Sequence, residues 1–515
     1  MRIHSHVDRG FSGDFITVEA DLRKGFPGFD IVGLPDGAIR ESRERVRAAL
    51  RHCGFQFPRE RVLINLAPAD IHKEGSQLDL AIALMVVLAL DSLQIGRNPR
   101  PAGDSQRLMV VGELGLDGRV VPMKNVHGAI DCAAREGCRL CIVPNQTVHS
   151  HPTLKICRVE NLTEAVRIAR DFLTRQHADI GPLFEIPRVG MPQGDPFAQV
   201  SGLLGVRRAM EIAAAGGHHL LLFGPPGVGK TMMASRLSLL VPPVSDVVAQ
   251  EILRIQAAAE RGFRHSEGIP VRKVSRESRL DALLGSNTAH FPGEAALSHG
   301  GVMILDEVNS FRPVFLEGLR EVLDRGEAAG HKNGHLVMFP ARFQIVATMN
   351  ACPCGRLGQS KGECSCTREQ ILRHWSRLGA ALLDRIELRV PVEAELLMLS
   401  SAAVGGFSGS DCKDRIKVAM ERQRLRFCDS SDLGMRNGDV SRYPQEGRRL
   451  IDPAIMDLVD HMQVGNLSYR ARLALASVAR TIADLEGCTS VSAEHMAEAV
   501  GLRRYGTLDF YWKDF

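Results

Sequence analysis

The chain has 515 residues, of which 44% are hydrophobic, enough for about three globular domains with ordinary cores. Its 64 lysines and arginines against 60 acidic residues give a net charge of +4, which neither requires nor excludes a nucleic-acid partner. The longest apolar run, residues 80–90, is too short to span a bilayer, and the first residues lack signal-peptide character. We therefore expect a cytoplasmic protein without a membrane partner, in which most of the 12 cysteines are free thiols.

The N-terminal region, residues 1–175, mixes short predicted strands with amphipathic helices. Residues 61–66 have the apolar character of a strand, and residues 38–52 carry apolar side chains at helical spacing. Residues 176–199 that follow are rich in proline and glycine, a composition that breaks helices and suits a linker.

The next region, residues 200–395, begins with a phosphate-binding motif. Residues 224–231 match the P-loop pattern G-x-x-x-x-G-K-[ST], between a predicted strand at 219–223 and a predicted helix at 232–237. Two glycines let the loop point its N–H groups at phosphate, the lysine reaches the β/γ-phosphates, and the threonine hydroxyl ligates Mg²⁺. We therefore predict that ATP is bound by Gly224, Pro225, Pro226, Gly227, Val228, Gly229, Lys230 and Thr231.

A second apolar strand, predicted at residues 302–305, ends in Asp306 and Glu307. Carboxylates at the carboxyl end of a parallel strand lie where α/β sheets bind ligands. Asp306 would hold Mg²⁺, and Glu307 would polarise the attacking water; the alternative is two exposed acids after a core strand. Together with the P-loop, the pair predicts ATP hydrolysis.

Two basic segments of this region are candidate contacts to phosphate groups. Residues 327–337 surround Asn333-Gly334, a strong hairpin signal, and the hairpin tip would carry Lys332 toward a phosphate. An ordinary exposed turn lysine is the alternative. Arg272 and Lys273 lie in the second basic segment, before Asp306.

Four cysteines form two closely spaced Cys-x-Cys pairs after the last strand predicted in this region: Cys352, Cys354, Cys364 and Cys366. Four thiolates are what a closed structural Zn²⁺ site requires. The spacing is tighter than the usual C-x₂-C, and four reduced cysteines around a flexible loop are the alternative.

The last region, residues 396–515, is predicted to be helical. A Gly/Ser-rich break at 405–410 precedes segments with apolar residues at helical spacing, which are 414–426, 452–463, 468–486 and 492–503.

Several longer motifs, in this order along the chain, resemble the ComM/YifB family in the magnesium-chelatase-like branch of AAA+ ATPases. Among them are Ala214-Ala215-Gly216-Gly217-His218, Pro292-Gly293-Glu294 and Leu382-Leu383-Asp384-Arg385-Ile386. The resemblance implies an α/β fold: an AAA+ P-loop NTPase core at 200–395, an N-terminal Lon-protease-like (ribosomal S5-like) α+β domain at 1–175 and a C-terminal helical lid at 396–515.

The resemblance also assigns roles to three polar residues. Asn350, a polar residue that ends a strand predicted at 344–348, resembles sensor 1, which orients the water near the γ-phosphate; a strand-end cap is the alternative. Arg385 resembles the arginine finger, which completes the site of a neighbouring subunit, and Arg470 resembles sensor 2 on the lid. A finger that acts on a neighbour implies a ring, so a homohexamer is the expected working state.

The N-terminal region resembles the proteolytic domain of the Lon family, but the Ser-Lys pair of that family is missing at the matching positions. The nucleophile position falls on Gln77, with Ser76 one residue early, and the position of the general-base lysine falls on His127. Only a shift of register would pair Ser76 with Lys124. We expect a catalytically degenerate domain that serves assembly or DNA engagement.

The resemblance therefore implies an ATP-dependent hexameric DNA motor of the ComM type. Such a helicase would promote branch migration on single-stranded or branched DNA in recombination during natural transformation, with recombination proteins as candidate partners. The resemblance implies Lys332, Arg272 and Lys273 as candidate DNA contacts. The alternative is a magnesium-chelatase-like remodelling ATPase that acts on a protein partner.

Overall fold

A computed structural model describes residues 2–506 except for 10, 71–72, 74, 96–106, 124, 147–153, 175–193, 198–202, 260–267, 287–290, 333–334, 360–363, 393–408, 428–434, 442–452 and 462–466. The chain divides into two compact units. The first comprises Met1–Pro187 and Gln256–Gly262, and the second comprises Arg188–Ile255 and Phe263–Phe515. The predicted linker at 176–199 and the Gly/Ser-rich break at 405–410 fall mostly outside the described residues.

The first unit is built on a seven-stranded mixed sheet in the order β3-β4-β2-β1-β5-β8-β9. Its strands are β1 (Arg2–Arg9), β2 (Ser12–Arg23), β3 (Gly28–Val32), β4 (Arg61–Ala67), β5 (Leu108–Val110), β8 (Leu140–Pro144) and β9 (Lys155–Val159); β6 (Glu113–Leu114) and β7 (Val120–Val121) form a separate hairpin. Its helices are α1 (Gly37–His52), α2 (Asp79–Ile95), α3 (Val126–Arg135) and α4 (Leu162–Thr174). The Lon-protease-like assignment of this unit stays a prediction.

Helix α2 contains the apolar run of residues 80–90. Its side chains from Leu80 to Leu88 are all buried in the core of the first unit, which explains why it is apolar on every face. Among the described residues, no helix is long and apolar enough to cross a membrane.

The second unit contains a five-stranded sheet in which every pair of neighbours is parallel, in the order β11-β12-β15-β10-β16. These strands are β10 (Leu220–Phe223), β11 (Val271–Val274), β12 (Val302–Leu305), β15 (Gln344–Met349) and β16 (Leu388–Pro391). The three central strands are buried along their whole length, as expected for a parallel sheet covered on both faces. The predicted α/β class with a parallel sheet is therefore confirmed.

Helices of this part of the chain are α5 (Leu204–Gly216), α6 (Lys230–Arg236), α7 (Asp246–Ala258), α8 (Leu280–Leu284), α9 (Glu294–Leu297), α10 (Pro313–Arg325), α11 (Arg368–Ser376) and α12 (Ala380–Leu383). Strands β13 (Glu327–Lys332) and β14 (His335–Pro340) pair antiparallel as a separate hairpin, as predicted. Its base is buried through Ala328 and Phe339, whereas Leu336 near its tip is exposed.

In the described residues from 409 onward, the α-helices are α13 (Gly409–Arg426), α14 (Pro453–His461), α15 (Tyr469–Leu485) and α16 (Ala493–Arg503). Helix α13 starts five residues earlier than predicted, inside the Gly/Ser-rich break. Gly409 packs so tightly that an added Cβ would lie 2.1 Å from Asp195 Oδ1, and Cys412 is fully buried. Packing thus overrides the poor helix propensity of Gly and Ser here. The role of these helices as a lid stays a prediction.

Candidate nucleotide site at the carboxyl edge of the parallel sheet

The P-loop follows β10 directly and leads into α6, which begins at Lys230 rather than at residue 232 as predicted. Gly227 and Gly229 have φ angles of +83° and +86°, which side-chain-bearing residues rarely adopt. A Cβ at Gly224 would lie 2.3 Å from the Val392 carbonyl oxygen after β16. The loop therefore needs glycine at these positions, both to bend and to approach its neighbouring strand.

Lys230 lies at the centre of the site. Its Nζ donates hydrogen bonds to the carbonyl oxygens of Gly224 at 2.9 Å and Pro225 at 2.6 Å, and to Asn350 Oδ1 at 3.3 Å. Burial lowers the pKa of Lys230 to about 8, although Asp306 and Glu307 favour its charged form. A triphosphate would replace loop carbonyls as the partner of this ammonium group.

Thr231 and Asp306 meet at the ends of α6 and β12, as the sequence predicts for a Mg²⁺ site. The Thr231 hydroxyl donates to Asp306 Oδ1 at 2.8 Å, so two oxygen ligands of the kind Mg²⁺ prefers already lie side by side. Lys273 Nζ lies 3.4 Å from Asp306 Oδ2. Burial raises the pKa of Asp306, but hydrogen bonds from Thr348 and Thr231 and the ion pair with Lys273 outweigh it, so Asp306 is ionised at neutral pH.

Thr348, which sequence reasoning missed, joins the two acids. Its hydroxyl donates to Asp306 Oδ1 at 2.6 Å and accepts a hydrogen bond from the Glu307 backbone N–H at 3.1 Å. The signal was present in the sequence, because a polar residue two positions before Asn350 in a buried strand lies on the same face of that strand.

Glu307 has a φ of +53°, a left-handed conformation that costs a non-glycine residue roughly 1–3 kcal/mol and that clusters at functional sites. Its side chain is 50% exposed, and its carboxylate pairs with Arg276 at 3.0 Å. An exposed carboxylate next to Asp306 suits a group that must reach a water molecule beside the phosphate.

Asn350 follows β15 and is fixed from behind by α11. The His374 ring donates to the Asn350 carbonyl oxygen at 2.9 Å, and Trp375 Nε1 donates to the Ala351 carbonyl oxygen at 3.1 Å. Burial lowers the pKa of His374 against the effect of this hydrogen bond, so the ring is neutral at pH 7. The backbone of Asn350 is thus held while its amide points to Lys230.

Arg385 and Arg470 converge on one carboxylate, that of Asp324 in the last turn of α10. Arg385 Nε lies 2.8 Å from Asp324 Oδ1, and Arg385 Nη2 contacts Asp324 Oδ2. Arg470 Nη2 lies 2.9 Å from Asp324 Oδ1. The two arginines lower the pKa of Asp324 although burial raises it. The structure thus brings the predicted finger and sensor 2 together, on a carboxylate that sequence reasoning missed.

The segment that carries Arg385 is tied to the C-terminal helices through its neighbour Asp384. Ser468, the N-cap of α15, donates to Asp384 Oδ2 at 2.9 Å, and Arg503 at the end of α16 donates to Oδ1 at 2.8 Å. Any displacement of these helices must therefore move the base of Arg385 or break these bonds.

A cavity of about 680 Å³ opens beside Asp324, Arg385 and Arg470. Its lining carries both signs of charge: Arg342, Lys417, Arg424 and Arg436 are basic, and Asp246, Glu421 and Asp439 are acidic. Lys230 is not among the described residues that line it. The two predicted arginines are therefore accessible from a space that is distinct from their own P-loop.

The candidate DNA contacts are placed less directly. Arg272 and Lys273 occupy successive positions of β11, so their side chains leave opposite faces of the strand. Arg272 makes a two-pronged pair with Glu294 at 2.7 Å, and Lys273 faces Asp306. Both side chains thus have partners within the protomer. Lys332 ends β13, and its side chain lies outside the described part of the chain, as do Asn333 and Gly334. A DNA contact therefore stays a prediction for Arg272, Lys273 and Lys332.

The four cysteines lie together after β15, with Cys352 buried and Cys354 exposed.

In the first unit, the Ser76 hydroxyl donates to the carboxylate of Glu113 rather than to a basic group. Lys124 lies outside the described residues, so the loss of proteolytic chemistry stays a prediction.

Nucleotide binding is expected to take up protons near pH 8. Phosphate oxygens favour the charged form of Lys230, so its pKa must rise above about 8 when ATP binds. Because the bound state then holds the proton more tightly, the affinity for ATP is highest below pH 8 and falls as pH rises above 8. Titration calorimetry at pH 8 in buffers of different ionisation enthalpy should show uptake of about half a proton per site. Binding without proton exchange at pH 8 would contradict this account of Lys230.

Three protein-family models match this chain, and together they cover most of it; all three describe the ChlI subunit of magnesium chelatase. The family described as "Magnesium chelatase, subunit ChlI" matches residues 196–398, which include the parallel sheet and the P-loop. "Subunit ChlI of Mg-chelatase" matches residues 18–147, and "Magnesium chelatase, subunit ChlI C-terminal" matches residues 406–503.

Individual relatives match over nearly their full length. YifB of Salmonella typhimurium is 33% identical over 514 residues, covering 97% of this chain and 96% of that protein. YifB of Escherichia coli is 33% identical, covering 97% and 96%, and competence protein ComM of Haemophilus influenzae is 32% identical, covering 97% of each chain. With this coverage and the arrangement of Lys230, Asp306 and Asn350 around one sheet edge, the chain belongs to the ComM/YifB family of magnesium-chelatase-like AAA+ proteins.

Proposed function

We propose that this protein is an ATP-driven DNA motor that works as a hexameric ring in the cytoplasm and promotes branch migration in recombination during natural transformation. Membership of a magnesium-chelatase-like AAA+ family implies the use of ATP and Mg²⁺. In the mechanism that we infer, the P-loop and Lys230 would hold the triphosphate, and Thr231 and Asp306 would hold Mg²⁺, which would supply positive charge at the phosphates. Glu307 and Asn350 orient the attacking water.

The division of the ATP site carries the ring part of the proposal. Lys230, Asp306 and Asn350 share one edge of the sheet, whereas Arg385 and Arg470 meet at Asp324 beside a separate cavity. Phosphoryl transfer needs cations at the γ-phosphate, and an arginine can be supplied by a neighbouring subunit. The arrangement supports a site in which one protomer supplies the P-loop and the next supplies the arginines.

Two observations support DNA as the substrate. One relative that matches over nearly its full length carries the name competence protein ComM. In addition, the β13–β14 hairpin is anchored at its base and extends to a tip that carries His331 and Lys332, and the backbone N–H of His331 bonds the Gly285 carbonyl oxygen at 3.1 Å. A fixed hairpin with a basic tip suits contact with a phosphate backbone.

A protein partner is the second candidate, and the same hairpin gives it a specific argument. Leu336 is 60% exposed and Met338 is 38% exposed on β14, so the hairpin also presents apolar side chains to solvent. Apolar side chains on a substrate-facing element would grip a polypeptide rather than a phosphate backbone.

Branch migration on a synthetic four-way junction distinguishes the two candidates. We expect wild-type protein with ATP and Mg²⁺ to move the junction, Lys230→Ala to abolish both ATP turnover and movement, and Lys332→Ala to reduce movement while it retains basal ATP turnover. Lys413→Ala is the matched control: Lys413 is a partly exposed lysine of α13 whose Nζ donates to the Gly194 carbonyl oxygen at 2.9 Å, and the variant should behave as wild type.

Failure of wild-type protein to move the junction, combined with ATP turnover that no DNA stimulates, would reject the DNA motor and favour the remodelling ATPase. Movement by Lys332→Ala at the wild-type rate would instead remove only the hairpin contact from the proposal.

A further inference from the structure

The cysteine cluster brings four sulfur atoms to one point. Cys352 Sγ lies 3.4 Å from Cys354 Sγ, Cys354 Sγ lies 3.6 Å from Cys364 Sγ, and Cys364 Sγ lies 3.6 Å from Cys352 Sγ. With Cys366 included, all four ligand atoms lie within 4.8 Å of one another. Sulfurs about 2.3 Å from a tetrahedral Zn²⁺ lie about 3.8 Å apart, so the observed spacing fits that ion.

The loop that holds the sulfurs is shaped by its backbone. Gly355, with a φ of +75°, closes a turn in which its N–H bonds the Cys352 carbonyl oxygen at 3.1 Å. The Leu357 N–H then points at Cys352 Sγ, 3.4 Å away. Amide donors to sulfur stabilise the negative charge of a thiolate ligand and fix its direction. The alternative is four thiols that only fill space in the core. It does not explain why the sulfur of Cys354, an exposed residue, lies against the sulfurs of Cys352 and Cys364.

The cluster touches the nucleotide site on two sides. Cys352 lies two residues after Asn350, and a Cβ on Gly355 would lie 3.2 Å from Pro226 Cδ of the P-loop. At the other end, Cys366 precedes Thr367, which caps α11 and so orients His374 toward the Asn350 carbonyl oxygen. A bond between the two Cys-x-Cys pairs would therefore close the chain from Asn350 to α11 into one rigid unit.

We propose that Cys352, Cys354, Cys364 and Cys366 bind one Zn²⁺ as a structural tetrathiolate site that positions Asn350 and the adjoining P-loop. All four coordination positions are filled by protein, which leaves none for a catalytic water. The metal site stands on the sulfur geometry alone, whereas its positioning role rests on the proposed ATPase function.

Metal content of the full-length protein, produced with zinc in the medium, tests the site independently of any activity. We expect about one zinc per chain by elemental mass spectrometry, and tetrathiolate-type absorption bands after Co²⁺ replaces it. The double variant Cys354→Ser/Cys366→Ser should lose zinc by about tenfold or more. Cys488→Ser is the matched control, because Glu486, Cys488 and His495 are the other group within 4.8 Å in the described residues, and it should retain the metal.

Release of zinc from wild-type protein by a thiol-specific mercurial tests the same site and does not depend on the folding of a variant. A wild-type protein without zinc and without Co²⁺ bands overturns the site, as does zinc retained by the double variant or lost by Cys488→Ser. One zinc per chain in a protein that does not hydrolyse ATP would reject the proposed function and leave the metal site standing.

The positioning role is read from ATP turnover and ATP affinity measured separately. Removal of zinc should lower kcat by about tenfold or more, with less effect on the Kd of a fluorescent ATP analogue, and added Zn²⁺ should restore kcat. A simple loss of folding would lower kcat and also weaken binding of the ATP analogue, and added Zn²⁺ would restore neither. Unchanged kcat after complete removal of zinc overturns the positioning role.

Discussion

Replacement of Arg385 by alanine is expected to lower the kcat of ATP hydrolysis by about 10³-fold or more, the contribution of an arginine finger to phosphoryl transfer. ATP affinity should change little, because Arg385 bonds Asp324 and lines a cavity whose described lining does not include Lys230. Arg470 still neutralises Asp324 in this variant, so we expect it to fold. A coupled ATPase assay gives kcat, and titration with a fluorescent ATP analogue gives Kd.

Arg373→Ala, which removes an exposed arginine of α11, is the control for the Arg385 variant and should keep wild-type kcat. If Arg385→Ala retained turnover within about threefold of wild type, the arginine would not act on the γ-phosphate. Its pair with Asp324 would then be an ordinary structural ion pair.

Replacement of Glu307 by glutamine is expected to lower kcat by about 10²–10⁴-fold while ATP still binds. The amide keeps the size of the side chain but cannot accept a proton from the attacking water. Stability should hardly change, since the carboxylate is half exposed and its pair with Arg276 is a surface ion pair. Single-turnover hydrolysis and equilibrium ATP binding, measured on the same preparation, separate the chemical step from binding.

Glu317→Gln offers a matched control for the Glu307 variant, because Glu317 is an exposed acid of α10 that pairs with Arg320 outside the nucleotide site. We expect wild-type turnover from it. Equal losses of kcat in both variants would mean that the effect of Glu307→Gln is not chemical.

The sheet edge that forms the nucleotide site was predictable from sequence because its signals are local. Apolar runs fixed β12 to the residue and β10 and β15 to within one residue, and the motif residues follow these strands directly. Since parallel strands end at a common edge, Lys230, Asp306 and Asn350 had to lie together. In the structure Lys230 Nζ donates to Asn350 Oδ1 at 3.3 Å, and Asp306 is close enough to favour the charged form of Lys230.

The second half of the site was not predictable in the same way. Asp324 is 61 residues from Arg385 and 146 from Arg470, and nothing local distinguishes it from other acids on an amphipathic helix. Ser468 and Asp384 likewise have roles only in the folded chain. For Lys273 a DNA contact stays a prediction, and its position beside Asp306 follows only from the pairing of β11 with β12, which no local pattern in the sequence shows.

The claim that two protomers share each ATP site is tested most directly by mixing two inactive variants, Glu307→Gln and Arg385→Ala. In a randomly mixed ring, about one quarter of the interfaces combine an intact Glu307 with an intact Arg385 from the next chain. We predict that ATP turnover of an equal mixture rises well above that of either variant alone, toward about a quarter of wild type. A mixture no more active than the average of the two variants would contradict the shared site, because each chain would then need both residues for itself.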